Sequence, residues 1–96
     1  MPRSACLIFN PVAGQSDPDQ DLAQIRAILE PAMDLEILLT SEEVDADELA
    51  KRAIARNVDA ILASGGDGTL SAVAAALVGT NIPLGVIPRG TANAFA

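Results

Sequence analysis

The chain has 96 residues, the length of one small domain, and half of them are apolar, which is typical of a globular protein and not of a disordered one. The net charge of −7 and the lack of a basic stripe argue against a nucleic-acid partner and against a large basic membrane-binding patch. The sequence contains no histidine, which excludes histidine-based metal sites and triads. Its single cysteine, Cys6, cannot form an intrachain disulfide, and we expect it to be buried in a cytoplasmic protein.

Four short apolar runs predict strands, because turn-forming residues bound each of them. The runs cover residues 5–9, 35–39, 60–63 and 84–87. They do not alternate between apolar and polar residues, so they predict parallel strands that are buried on both faces.

Apolar residues recur at helical spacing in the three segments between these runs. The first predicted helix ends at Pro31, the second begins with a capping box formed by Thr40 and Glu43, and the third ends at Gly79. The predicted inward positions are Leu22, Ile25, Ile28 and Leu29, then Ala46, Leu49, Ala50, Ala53 and Ile54, then Leu70, Val73, Ala74, Leu77 and Val78. The order βαβαβαβ predicts an α/β fold with three layers and an open, mainly parallel sheet of about four strands, joined by right-handed crossovers.

Three glycine-bearing segments follow the carboxyl ends of predicted strands. They are NPVAG at residues 10–14, SGGDGT at residues 64–69 and PRGTAN at residues 88–93. In an open parallel sheet these strand ends gather at one edge, where ligands bind. If the first, third and fourth strands are neighbours, we expect the three segments to meet.

The segment at residues 64–69 has the composition of a phosphate-binding turn. Gly65, Gly66 and Gly68 permit positive φ angles and close approach of an anion to the backbone, and the following helix presents its amide groups. Asp67 would hold Mg²⁺ or orient an attacking hydroxyl beside the phosphates. The alternative is structural: the glycines make a tight turn and Asp67 caps the helix. The composition of the turn does not choose between the two.

Two common phosphate-binding motifs are absent from the sequence. There is no G-x-x-x-x-G-K-[ST], and the only lysine, Lys51, lies on a predicted helix far from the glycines. There is also no G-x-G-x-x-G motif of a dinucleotide-binding fold. Arg89 is the only cation near the three segments, and we consider for it either a phosphate contact or an ordinary solvated side chain.

GGDGT at residues 65–69, NPVAG at 10–14 and GVIPRGTANAFA at 85–96 together resemble the diacylglycerol kinase catalytic domain, and most closely its bacterial soluble lipid kinases. GGDGT alone is less specific, because NAD kinases carry it and phosphofructokinases have a close variant. The resemblance implies a phosphofructokinase-like N-terminal domain that binds ATP and Mg²⁺ and transfers the γ-phosphoryl group to a lipid hydroxyl. It covers essentially the whole chain but only the front portion of such a kinase.

The resemblance also implies roles for particular residues. Asp67 would be the catalytic and metal-binding residue, Asn10 and Thr40 would contact the nucleotide, and Thr91 would contact the phosphates. The full set of implied nucleotide-binding residues is Asn10, Thr40, Gly65, Gly66, Asp67, Gly68, Thr69, Leu70, Ser71, Gly90, Thr91 and Asn93. Thr40 and Asn10 keep structural alternatives, a helix cap and an Asn-Pro turn respectively.

Three positions depart from the family pattern. The family usually reads GGDGT-x-NE and N-D-F-A, where this chain has Ser71, Ala72 and Ala94. The resemblance places the catalytic base and much of the lipid site in a second, β-rich domain. We therefore expect residues 1–96 to be the ATP-binding domain of a truncated lipid kinase that is inactive by itself. We also expect a lipid alcohol as substrate, transient contact with a membrane surface, and homo-oligomer formation.

The sequence is also compatible with two other functions. One is an NAD kinase-like enzyme, which shares the GGDG bend. The other is a non-catalytic nucleotide-binding or regulatory domain, which the missing acids at Ala72 and Ala94 suggest.

Overall fold

The computed structural model describes residues 3–12 and 16–89. Strands and helices alternate along this part of the chain. In order they are β1 (Arg3–Phe9), α1 (Pro18–Leu29), β2 (Met33–Leu39), α2 (Ala46–Ala55), β3 (Ala60–Ser64), α3 (Asp67–Leu77) and β4 (Leu84–Val86). The alternation confirms the α/β class predicted from the sequence.

The four strands form one parallel sheet in the order β2-β1-β3-β4. The chain moves from β1 outward to β2 and then crosses back to β3, so the strand order reverses between β1 and β3. Side chains on the two faces of the sheet belong to separate clusters. Leu7 and Phe9 pack with Ile25 of α1, whereas Cys6, Ile8 and the inner faces of α2 and α3 form the larger cluster. The molecule therefore has three layers, as the sequence predicts.

Burial on both faces holds for the central strands only. Residues 5–9 of β1 are fully buried, and most of β3 is as well. By contrast, β2 alternates between half-buried and exposed residues, and β4 contains no buried residue. The sequence prediction of full burial is wrong for these two strands, because each lies at an edge of the described sheet.

The second helix begins later than the sequence predicts. Its N-cap is Asp45, whose side chain accepts a hydrogen bond from the Glu48 amide. The predicted capping box of Thr40 and Glu43 is wrong, because the Ser41 hydroxyl accepts hydrogen bonds from the amides of Glu43 and Val44 and holds this segment in a turn.

Three predicted inward positions face solvent. Ile28 is 70% exposed on α1, and Val78 is 83% exposed where the chain has already left α3. Ala74 is also exposed, because each helix buries only the stripe that faces the sheet. The remaining predicted inward positions are buried or half-buried.

Cys6 is fully buried, as predicted. Burial raises the pKa of its thiol, and the positive charge of Arg56 lowers it only in part. Of the helices that the structure describes, none has the length and apolar character needed to cross a bilayer.

Candidate functional site

The carboxyl ends of the strands lie level with one another at one edge of the sheet. Phe9 is in register with both Leu39 and Ser64. Backbone hydrogen bonds extend this alignment by one residue. The Thr40 amide donates to the Phe9 carbonyl at 3.0 Å, and the Asn10 amide donates to the Ser64 carbonyl at 2.9 Å. Asn10, Thr40 and Gly65 are therefore the first residues beyond three adjacent strands.

The GGDGT segment turns directly from β3 into α3. Gly66 is the N-cap and no side chain caps the helix. The first hydrogen bond of the helix runs from the Leu70 amide to the Gly66 carbonyl at 3.1 Å. The amides of Asp67, Gly68 and Thr69 precede it, so they belong to the group that an α-helix leaves without intrahelical partners. Asp67 is exposed in the first turn, and the alternative in which it caps the helix is wrong.

The three glycines of this turn have different surroundings. A Cβ atom on Gly65 would lie 2.8 Å from Thr69 Oγ1 and 3.0 Å from Asn10 Cβ, whereas one on Gly66 or Gly68 would meet nothing within 4 Å. None of the three has a positive φ angle; among the described glycines only Gly79 does. Gly65 is thus required by close packing, whereas Gly66 and Gly68 lie next to open space.

Asn10 connects the first segment to the GGDGT turn. Its Nδ2 donates to Thr69 Oγ1 at 3.3 Å, and its Oδ1 accepts a hydrogen bond from the Val12 amide at 3.0 Å. The second contact is the Asn-Pro turn considered as an alternative, so that structural role is present. Thr69 is buried, and its hydroxyl faces Asn10.

A cavity of about 480 Å³ opens where these segments meet, which is a size suited to a small ligand. Four of the predicted nucleotide-binding residues line it: Asn10, Thr40, Gly68 and Thr69. The carboxylates of Glu42 and Asp45 line it on the Thr40 side, and Ala72 lies on its wall.

Five other predicted site residues do not line this cavity: Gly65 and Gly66 in the turn, and Asp67, Leu70 and Ser71 in α3. Leu70 packs against the core formed with α2, and Ser71 is exposed on the helix. The predicted site residues Gly90, Thr91 and Asn93, and also Gly14, lie outside the described residues.

A cavity of similar size, about 490 Å³, lies at the amino ends of β1 and β2. Its walls include the acids Glu30, Asp34 and Glu36, which would repel an anionic ligand. Open parallel sheets bind ligands at the carboxyl ends of their strands, so the cavity beside Asn10 is the candidate site.

Of the two interpretations of Arg89 made from the sequence, the ordinary solvated side chain is wrong, and the phosphate contact stays a prediction. Its side chain is only 5% exposed. Its guanidinium group donates to Asp21, to the Asn10 carbonyl and to the Ser16 carbonyl, and it lies over the Phe9 ring. The side chain is buried and does not line the cavity. The sequence contains no spacing signal for this contact, because Arg89 and Asp21 are 68 positions apart.

The single carboxylate of the GGDGT turn suits a metal ion that is bound partly by substrate phosphates. Among residues 3–12 and 16–89, no group of three histidine, cysteine, aspartate or glutamate side chains could enclose a metal. Mg²⁺ is commonly held by one or two carboxylates together with substrate phosphates and water. A single exposed Asp67 beside open helix amides fits that manner of binding.

Comparison with known proteins decides the family. Residues 4–96 match the family described as the diacylglycerol kinase catalytic domain. The chain belongs to this family. The resemblance noted from the three glycine-bearing segments is therefore confirmed.

Relatives of this kinase-family chain include proteins from several bacteria. It is 50% identical to the uncharacterized protein sll0036 of Synechocystis over 94% of this chain and 23% of that protein. It is 42% identical to a protein of Xanthomonas campestris named "Probable lipid kinase YegS-like", over 94% of this chain and 30% of the relative.

A solved structure shares the same fold. The crystal structure of a diacylglycerol kinase from Bacillus anthracis superposes with a TM-score of 0.77 at 39% identity, covering 90% of this chain and 32% of that one. The chain thus spans between about a quarter and a third of the length of the relatives described here.

Proposed function

We propose that this chain is the ATP-binding part of a lipid kinase that transfers the γ-phosphoryl group of ATP to a lipid hydroxyl such as that of diacylglycerol. One observation carries the proposal. Asn10, Thr40 and the start of α3 surround a single cavity at the reversal of strand order, where open α/β sheets bind nucleotides. The family match supports a kinase and favours a lipid acceptor over the NAD of the alternative enzyme.

The distribution of charge suggests how ATP lies in the cavity. In this proposal the triphosphate lies at the amino end of α3, where the open space beside Gly66 and Gly68 admits an anion and the helix dipole favours it. The nucleoside lies toward Thr40, because Glu42 and Asp45 line that side and would repel phosphates. Leu70 and Ser71 contribute through the helix backbone, and Gly90, Thr91 and Asn93 complete the proposed site.

Asp67 would hold Mg²⁺ between the phosphates and the protein. When bound, the metal neutralises charge that develops on the transferred phosphoryl group. Main-chain amides of this chain hold the triphosphate in place. This lowers the barrier to phosphoryl transfer by positioning and electrostatics. As the lipid oxygen forms its bond to the γ-phosphorus, the bond from that phosphorus to the bridging oxygen breaks and ADP leaves with the bridging oxygen. The lipid proton passes to a base outside the described residues.

The proposal extends to the setting of the whole protein. The lipid alcohol would be bound mainly by the second, β-rich domain that the resemblance implies, with transient contact at a membrane surface in the cytoplasm and with homo-oligomer formation. Residues 1–96 by themselves would bind ATP weakly and transfer no phosphate.

The test is phosphoryl transfer by the full-length protein that carries this sequence. The protein is incubated with Mg²⁺, ATP labelled at the γ-phosphate and, in parallel, diacylglycerol in mixed micelles or NAD. We expect label in the lipid only. Label in NAD would favour the NAD kinase alternative. Saturable ATP binding without transfer to any lipid alcohol would favour the non-catalytic alternative, which Ala72 on the cavity wall motivates.

A further inference from the structure

A buried ion pair lies beside the candidate site but does not line its cavity. The side chains of Arg89 and Asp21 are 5% and 7% exposed, and Arg89 Nε lies 2.9 Å from Asp21 Oδ2. The remaining guanidinium nitrogens donate to two backbone carbonyls, Nη1 to Asn10 at 2.7 Å and Nη2 to Ser16 at 3.0 Å. The Phe9 ring lies 4.6 Å from the guanidinium carbon.

The two carbonyls belong to the two ends of the connection from β1 to α1. Asn10 directly follows β1, and Ser16 lies just before α1, where its hydroxyl also donates to Asp21. One guanidinium group, in the segment that follows β4, thus holds both ends of this connection. It also joins the first and third glycine-bearing segments, which are far apart in the chain.

Asn10 transmits this restraint to the cavity. Its backbone carbonyl accepts a hydrogen bond from the Arg89 guanidinium group, and its backbone amide donates to the Ser64 carbonyl. Its side-chain amide donates to the Thr69 hydroxyl in the GGDGT turn. We propose that Arg89 and Asp21 are positioning residues that hold Asn10 at the distance from the GGDGT turn that nucleotide binding requires. The inference rests on the proposed function, since it concerns the same cavity.

The chemistry favours positioning over stability as the role of the pair. Arginine presents its donors in a rigid planar fork, which can satisfy three acceptors in fixed directions, whereas a lysine ammonium is a point charge on a flexible stem. A buried ion pair adds little net stability compared with neutral side chains of similar size. The fixed geometry that it imposes on Asn10 is its distinguishing effect.

The experiment removes both charges together, so that no buried charge is left unpaired. The variant is Arg89→Met with Asp21→Asn, and the measurements are the dissociation constant for ATP with Mg²⁺ and the melting temperature. The matched control is Arg26→Met with Glu30→Gln, the same change at an exposed ion pair on α1. Proton exchange of the Asn10 side-chain amide, followed by NMR without ligand, gives a measurement independent of nucleotide.

We expect the double variant to fold with a lower melting temperature, because the Asn10 and Ser16 carbonyls lose their donors. It should bind ATP about tenfold or more weakly because Asn10 is displaced, and it should exchange the Asn10 amide protons faster. The control should change none of these. A folded double variant with wild-type ATP affinity and wild-type Asn10 exchange would overturn the proposal.

Two further results of the experiment are interpreted separately. If the double variant does not fold, Arg89→Lys is tested instead. It keeps the charge, but its three donors lie on one nitrogen and cannot reach the three acceptors in the positions that the planar guanidinium group reaches. It should therefore fold and bind ATP more weakly, and unchanged affinity would refute the inference. If the wild-type protein binds no ATP, the proposed function fails, and the exchange of the Asn10 amide in the double variant still decides whether the ion pair positions Asn10.

Discussion

Gly65 and Gly68 lie three residues apart in the same turn but have opposite requirements. A Cβ on Gly65 would collide with Thr69 and Asn10, whereas one on Gly68 would point into open space beside the cavity. We predict that Gly65→Ala lowers the free energy of unfolding by about 1–3 kcal/mol. We predict that Gly68→Ala leaves it unchanged or raises it by about 0.5–1 kcal/mol, because alanine is favoured in a helix.

The two variants also separate folding from ligand binding. The added methyl group of Gly68→Ala occupies the space proposed for a phosphate, so ATP affinity should fall although the protein is fully folded. Urea unfolding and calorimetric titration with ATP and Mg²⁺ measure the two effects. Gly68→Ala with wild-type affinity would show that the phosphates do not lie at the start of α3.

Asp67 is exposed at the first position of α3 and is not a cap. Asp67→Asn should therefore cost only the favourable interaction with the helix dipole, about 0.3–1 kcal/mol of stability. Phosphoryl transfer by the full-length protein should fall by a factor of at least about a hundred, as when a charge-stabilising group is lost. Melting curves and a lipid kinase assay check this. Retained transfer in the asparagine variant would remove Asp67 from the proposed metal site.

Single residues differ in how far the sequence reveals them. The turn at residues 65–69 could be predicted because its glycines and its carboxylate follow an apolar run directly. The reason for Gly65 could not be predicted, because its neighbour Asn10 comes from another strand. The burial of Arg89 could not be predicted either, since an isolated arginine in a loop gives no sign of a partner on a distant helix.

At the scale of elements, two residues that line the cavity near the start of α2 differ in their structural roles. Asp45 accepts a hydrogen bond from the Glu48 amide and caps the helix, whereas Thr40 lies outside the helix and does not cap it. We predict that Asp45→Ala lowers stability by about 1 kcal/mol, and that Thr40→Ala leaves stability unchanged while weakening ATP binding. Thermal unfolding and ATP titration of both variants test this. A loss of stability in Thr40→Ala equal to that in Asp45→Ala would return Thr40 to a structural role.

The start of α2 differs from the one that the sequence predicts, for a physical reason. The residues from Thr40 to Asp45 include several that cap helices well, and the pattern alone does not decide which one does. The Ser41 hydroxyl accepts hydrogen bonds from the amides of Glu43 and Val44, which holds this segment in a turn. The first helical residue is therefore Ala46. Helix ends depend on such local competition between side chains and backbone, whereas the body of the helix follows from its apolar spacing.

For the whole molecule, stability comes from the buried layer between the sheet and its helices. Leu49 is 4% exposed between α2 and the sheet, whereas Ile28 on α1 is 70% exposed. We predict that Leu49→Ala costs about 2–5 kcal/mol, a large part of the total stability of a small domain. Ile28→Ala should change stability by less than about 0.5 kcal/mol. Chemical denaturation measures both. A comparable loss in Ile28→Ala would mean that α1 buries this face against something else.

The order and type of the elements could be predicted because four apolar runs alternate with three helical patterns, and parallel strands follow from that order. The sequence could not rank the strands by exposure. The apolar runs of β2 and β4 resemble those of central strands, so the sequence does not distinguish an edge strand from a central one. Only the strand order β2-β1-β3-β4 shows that these two strands lie at the edges of the described sheet. The meeting of the first and second glycine-bearing segments followed from the same parallel order.

The most direct test of the account is an NMR titration of the protein with ATP and Mg²⁺. We expect saturable shifts of the backbone amides at Asn10, Thr40, Gly68 and Thr69, which line the cavity at the carboxyl ends of the strands. Shifts confined to the opposite cavity beside Asp34, or no saturable shifts at millimolar ATP, would contradict it.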